Sequence, residues 1–364
     1  MENTIGKICV ISSLVLSLCA CGNTESSNGE SVAGTSIEVE RDSVLSPCYI
    51  TTWKGGMGKA VVFTWDDMSV ESEQVAEIFD EFNLPATFFI NTAGLDKIKN
   101  RIKHPLLISM YNDFLEHGHE IGTHTRNHVN LVKVSLGEAA EEMKGASDDI
   151  LKHFGYRPAT MSYPTSHYNA QLDSIMRLSY LDCRYTVLHD SDSLVRYIHV
   201  RSDCDFAYYK KNIDAFVGSN ADLYVYGGHQ LDGQGYEPMP SNTLKSLLAY
   251  ITSKYDNDLW MTTFGDAILY RMMRERVSVK NIPGEIHLDI SKVKQILDRY
   301  SHVNAYLTLC FPNVNLDISG GAISYSYRNG NTYCTLDLRK CTQLKYHRIE
   351  NNYQYQIIKN NIKK

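Results

Sequence analysis

Two stretches decide the fold: Ala60-Val61-Val62-Phe63-Thr64-Trp65-Asp66-Asp67, and Glu120-Ile121-Gly122-Thr123-His124-Thr125-Arg126-Asn127-His128. Each opens on a run that suits a buried strand and closes on polar, chemistry-bearing residues. Between and after them the chain alternates. Glu71 to Phe82 places Val75, Ile78, Phe79 and Phe82 at helical spacing. Pro85 to Asn91 is strand-like, and Ser135 with Glu138 forms a capping box that opens a helix running to Phe154. Thr160 to Tyr163, Leu223 to Tyr226 and Trp260 to Phe264 continue as strands. Gln171 to Leu178, Ser241 to Tyr255 and Asp266 to Arg274 continue as helices. Repeated βα units predict an α/β fold on a parallel sheet, open or closed into a barrel.

The pattern changes after Arg276. Ser291 to Tyr300 has one helical face, and beyond it the period is two. Ile323, Tyr325 and Tyr327 alternate with Ser324, Ser326 and Arg328. Asn329-Gly330 then marks a hairpin before Tyr333 to Leu338. A small β-rich, sandwich-like C-terminal domain over 276–364 is expected, with the tyrosine stripe on its core face rather than serving as a sugar-stacking platform. This segment carries 13 Lys/Arg against 6 Asp/Glu, although the whole chain has a net charge of −6. The plainer account is a solvated basic face. The sharper one is docking onto the acidic remainder, or contact with an anionic cell-wall polymer or lipid surface.

Of 364 residues, 43% are apolar and 21% charged, a globular composition. The net negative charge argues against nucleic acid as a partner. Ile8 to Ala20 is a mostly apolar run of signal-peptide length, too short to span a bilayer. It ends in Leu18-Cys19-Ala20-Cys21, similar to a lipobox in which Cys21 is lipidated. A Ser-, Gly- and Asn-rich stretch follows. The expected organisation is a signal peptide over 1–20, an anchor and tether over 21–56, a catalytic barrel over 57–275 and the β-rich domain over 276–364. An exported protein, lipid-anchored to the cell envelope, follows from it. Outside the signal and Cys21, six cysteines remain (Cys48, Cys183, Cys204, Cys310, Cys334 and Cys341), without CxxC or zinc-type spacing. Disulfides and buried free thiols both remain open.

Chemistry concentrates at the two strand ends, where parallel βα folds build their sites. Adjacent Asp66 and Asp67 leave a strand pointing different ways and can divide two tasks, one on a metal and one on a proton. His124 and His128, four apart, are expected on one side of a helical turn. Two imidazoles and one carboxylate leave open coordination positions, as a catalytic metal requires. Taken alone, an Asp pair after a strand is most often a turn, and two such histidines are most often surface or packing residues. Their order on successive strand ends raises the odds.

At these residues the sequence resembles the polysaccharide deacetylase family (carbohydrate esterase family 4). Thr64-Trp65-Asp66-Asp67 matches its first motif and His124-Thr125-Arg126-Asn127-His128 its second. Ser162-Tyr163-Pro164-Thr165-Ser166, Gly227-Gly228-His229 and Trp260 through Tyr270 match later motifs more loosely. The resemblance implies an irregular (β/α)7-type barrel over roughly 57–275. It implies Asp67, His124 and His128 as ligands of a divalent metal, usually zinc, and Asp66 as general base toward the attacking water. It implies Thr165 as a backbone oxyanion donor and His229 as general acid. Where the third motif usually carries an Arg that steers the catalytic Asp, this chain has Ser162, and Arg201 is the expected replacement. Where an apolar residue packs on the acetyl methyl, it has Gly227. No fourth motif is clear. His119 is expected to support the strand leading to His124. The other histidines, His199 among them, are expected to be bystanders. The implied enzyme is a hydrolase that removes N-acetyl groups from an N-acetylated amino-sugar polysaccharide. The alternatives are an O-acetyl esterase on xylan-like glycan and a non-catalytic glycan-binding lipoprotein.

Overall fold

The computed structural model describes residues 47–67, 69–96, 103–189, 194–233 and 235–349. The signal peptide, Cys21 and the tether as far as residue 46 lie outside the described residues. In chain order the elements are β1 (Tyr49–Ile50), β2 (Lys59–Asp66), α1 (Ser72–Glu81), β3 (Thr87–Ile90), α2 (Ala93–Asp96), α3 (Lys103–Glu116), β4 (Glu120–Thr123) and α4 (Leu136–Phe154). Then come β5 (Thr160–Met161), α5 (Ala170–Ser179), β6 (Asp182–Cys183), α6 (Arg184–His189), β7 (Val195–His199), α7 (Phe206–Val217), β8 (Leu223–Gly228), α8 (Ser241–Tyr255), β9 (Leu259–Thr262) and α9 (Phe264–Arg276). The C-terminal part holds β10 (Ser278–Ile282), β11 (Glu285–Asp289), α10 (Lys294–Arg299), β12 (Tyr306–Phe311), β13 (Leu316–Gly320), β14 (Ser324–Arg328), β15 (Asn331–Asp337) and β16 (Gln343–Arg348).

The βα repeat builds a parallel sheet in the order β6-β5-β4-β3-β2-β8-β7. β2 is its centre. One edge of β2 pairs with β8; the other is shared, β9 bonding residues 59–62 and β3 bonding residues 64–66. β6 and β7 end the order and are not bonded to each other, so the curled sheet is an open, irregular barrel. Alternation along β2 sorts its side chains. Val61, Phe63 and Trp65 pack outward among α1, α3, α7 and α8, while Ala60 and Val62 pack inward with Phe89, Val225 and α9. Thr64 and Asp66 therefore face the interior at the carboxyl end of the central strand.

The C-terminal residues, joined by β1 from ahead of the barrel, form two four-stranded antiparallel sheets, β1-β12-β15-β14 and β10-β11-β16-β13. Leu309, Phe311 and Leu336 of one join Ile286, Leu344 and Tyr346 of the other in a shared apolar cluster, the core of a sandwich. The ordered fold begins before residue 57: Tyr49 pairs with Cys310, and Trp53 is fully buried with its indole N–H donating to the Asp222 carbonyl at 2.9 Å. The tyrosine stripe departs from expectation. Tyr325 and Tyr327 lie opposite buried Cys334 and Thr332, yet stay 53% and 52% exposed: β14 is an edge strand, bonded to β15 alone, and residues on both of its faces are exposed. Among the described residues the six cysteines are free thiols, and no helix is long and apolar enough to cross a membrane.

His119, expected to support the strand leading to His124, immediately precedes that strand, β4, but its ring braces the start of the neighbouring β3. The Ala86 N–H donates to its Nδ1 at 2.9 Å, and its Nε2 faces Asp80 at 3.3 Å. Burial lowers its pKa to about 4, against the pull of Asp80. The unfolded chain, with an ordinary histidine, takes up a proton first as pH falls, so this residue's stabilising contribution is lost between about pH 6.5 and about pH 4. Urea melts at pH 7 and pH 5 are expected to show a larger loss in the wild type than in His119→Gln; equal losses would contradict this.

Candidate metal centre and catalytic cleft

Asp66 closes β2, and Asp67 follows at φ 72°, a left-handed kink that turns the second carboxylate away from the first. Asp66 is buried at 6% exposure, and Asp67 is part-exposed. His124 follows β4, its N–H donating to the Ile90 carbonyl at 2.7 Å. The helical turn expected between His124 and His128 does not form. A loop joins them, with Thr125 and His128 at φ 64° and 57°, and it still brings the two ring centroids to 4.8 Å. α4 supplies the brace. Glu142 accepts from the N–H groups of Arg126 (3.1 Å) and Asn127 (2.8 Å), and Asp149 takes the Arg126 guanidinium through two bonds of 2.9 and 2.8 Å. These carboxylates replace the regular hydrogen bonds a helix would have provided.

Asp67, His124 and His128 each offer one ligand atom, all within 4.8 Å of one another. Asp67 Oδ1 lies 3.4 Å from His128 Nε2 and 4.0 Å from His124 Nε2. The Ser162 carbonyl only accepts, so at 2.8 Å from His124 Nδ1 it fixes the tautomer and leaves Nε2 free to ligate. Burial, the largest influence, lowers the pKa of His124. The donor set fits a divalent cation of zinc type, two nitrogens and one oxygen with further positions open.

Asp66 stands beside this cluster, its Oδ2 3.8 Å from His124 Nε2. Its partner is Arg184, the first residue of α6. Arg184 Nη1 donates to Asp66 Oδ1 at 2.8 Å, Nη2 donates to Oδ2, and Nη1 also reaches Thr64 Oγ1 at 2.8 Å. Burial would push the Asp66 carboxyl up; Arg184, helped by His124 and His229, outweighs it and holds the group below its ordinary value. The same pair raises Arg184 above its ordinary value despite burial. The expectation that Arg201 would take this place is wrong. Arg201 lies in the loop just after β7, where its side chain is exposed and pairs with Asp203 at 3.1 Å. Arg184 directly follows the short β6, whose two residues carry no periodic signal. The sequence clue available was a lone arginine just after a buried Cys183, which periodicity does not single out.

The remaining expected residues occupy the same rim. Thr165 sits in the turn Pro164–Ser166 after β5, at φ 59°, and its hydroxyl meets His167 Nδ1 at 3.1 Å. His229 follows β8, near enough to Asp66 to help hold its carboxylate charged. Two residues not expected here flank it. His199, from β7, has its ring centroid 5.6 Å away and pairs with Glu237 at 2.9 Å, and Tyr236 stands edge-on to His229 at 5.2 Å.

Residues 54–182 match the family model described as polysaccharide deacetylase. The match takes in the first three motifs and stops two residues short of Arg184. The chain is 28% identical over 124 residues to the peptidoglycan-N-acetylmuramic acid deacetylase PdaC of Bacillus subtilis. It is 28% identical over 121 residues to the peptidoglycan-N-acetylglucosamine deacetylase PgdA of Listeria monocytogenes. Each alignment covers 33% of this chain and 24% of the relative, so the chain spans about a quarter of the length of these curated relatives. A chitin deacetylase structure from the fungus Colletotrichum lindemuthianum aligns over 60% of this chain and 89% of its own, with a TM-score of 0.44 and 18% identity. With both leading motifs at the mouth of a parallel βα sheet and the family model matching through the same residues, residues 54–182 carry the polysaccharide deacetylase match.

Proposed function

We propose that this chain is a metal-dependent hydrolase that removes N-acetyl groups from an N-acetylated amino-sugar polysaccharide, with peptidoglycan the first candidate. The supporting observation is the pairing of a three-donor cluster, Asp67, His124 and His128, with a separate buried carboxylate, Asp66, held by Arg184. A protein that only binds glycan gains nothing from such a pair, because two charges in the interior cost several kcal/mol of desolvation each, about what their attraction returns.

The division of labour follows from position. A divalent cation held by Asp67, His124 and His128 would supply Lewis-acid polarisation of the amide carbonyl and a more acidic water. Asp66, ionised and fixed by two bonds from Arg184, accepts the proton of the attacking water. The Thr165 N–H, on the rim beside His124, donates to the carbonyl oxygen as it gains charge. His229, on the other side of Asp66, donates a proton to the departing amine. The C–N bond breaks, and acetate and a free amino sugar leave. The same proposal keeps the enzyme outside the cytoplasm on a lipid at Cys21.

Metal analysis of the purified protein is expected to give about one divalent ion per chain, and His124→Ala is expected to lose it; undiminished metal in that variant would refute the ligand assignment. Asp66→Asn should retain the ion while turnover falls about 10²–10⁴-fold, the usual worth of a general base; unchanged turnover would mean another group takes the proton. Arg184→Lys, which preserves charge but loses the paired donation, should cut kcat on the order of 10²-fold with KM little changed, the effect of a misplaced base. Equal kcat would show that the pair serves stability alone. Membrane fractionation of Cys21→Ser should shift the protein to the soluble fraction; no shift rejects the anchor.

A further inference from the structure

We propose that Tyr197 is the specificity-determining residue of the cleft, a wall that confines the acyl group to acetyl; this rests on the deacylase reading above. The inner faces of β7 and β8 lie side by side, with His199 opposite Gly227 in register. Gly227 precedes His229 by two residues, so it shares the inward face about 7 Å deeper into the barrel. It also lies opposite Thr64, whose strand ends at Asp66. The floor between the base and the acid is therefore at Gly227, and Tyr197 occupies the space above it. A Cβ on Gly227 would lie 2.4 Å from the Tyr197 hydroxyl oxygen and 2.7 Å from its ring, closer than any real contact. Only glycine leaves room for the phenol.

The ring is held there. Its centroid is 5.8 Å from the Arg184 guanidinium carbon and 6.2 Å from the Tyr185 ring, and its hydroxyl is 3.4 Å from His199 Nδ1. The Arg184 that clamps Asp66 thus also backs Tyr197. Burial is the main reason the phenol stays protonated, its pKa pushed above the ordinary range. The side chain stays part-exposed on β7, beside Gly227. A bulky, braced wall at this depth admits a methyl group and clashes with a longer chain, because a packed site resists added methylenes.

The test compares acetate, propionate and butyrate release from N-acylated chito-oligomers by the metal-loaded enzyme and its Tyr197 variants. The wild type should favour acetyl over butyryl by on the order of 10²-fold in kcat/KM, since each methylene is worth roughly 10–200-fold in such a pocket. Tyr197→Ala and the bulkier Tyr197→Leu should each lower that ratio at least tenfold while still releasing acetate, and Tyr197→Phe should keep it. Either truncation leaving the ratio at its wild-type value, with acetate release intact, would overturn the proposal and leave the deacylase reading standing. A wild type that releases no carboxylate from any of the three would overturn both.

Discussion

The bond between Asp66 and Arg184 is the constraint on which the site depends. A carboxylate at the interior end of the central strand has lost most of its water, and without a cation it would take up a proton and cease to be a base. Arg184 meets that need with two parallel donations and a third to Thr64 Oγ1, so both the charge and the plane of the carboxylate are fixed. The guanidinium is in turn enclosed by Phe89, Tyr185 and Tyr197, with ring centroids 5.1–5.8 Å from its central carbon. Removing one partner of such a pair costs about 3–5 kcal/mol, because the other charge stays buried alone.

The pair also joins parts of the chain that are far apart in sequence. β2 and α6 are separated by more than a hundred residues, and β6 and β7 are the two unbonded edges of the sheet. Arg184 lies at one edge and Tyr197 on the other, and their contact spans the open side of the barrel. The loop carrying His124 and His128 depends on a second set of carboxylates, Glu142 and Asp149, placed inward along α4. Both devices do by side-chain bonding what a closed barrel and a regular helix would have done by backbone bonding.

The sequence made the frame legible where its signals were periodic or covalently local. β2, α4, α8 and the Asn329-Gly330 hairpin follow the expected bounds closely because apolar spacing and capping chemistry mark them. Asp66, Asp67, His124 and His128 were legible because each lies at a strand end. β6 and β7 were not: the first is two residues long, and the second alternates only weakly. Arg184, which follows β6, and Tyr197 and His199, which lie on β7, were missed with them. The expectation of a helical turn at His124 failed because Thr125 and His128 adopt left-handed φ values that only the surrounding bonds sustain. Tyr325 and Tyr327 carry the right period for a core face, but period does not reveal that a strand is an edge.

The central claim is that Asp67, His124 and His128 hold a cation that Asp66 and His229 use to cleave an acetamide. The most direct measurement is acetate release from N-acetylated peptidoglycan and chito-oligomers by the purified protein, before and after chelation and again after zinc is restored. The account predicts release that stops with the chelator and returns with the metal. Release that continues at the same rate in a protein shown to be metal-free would contradict it.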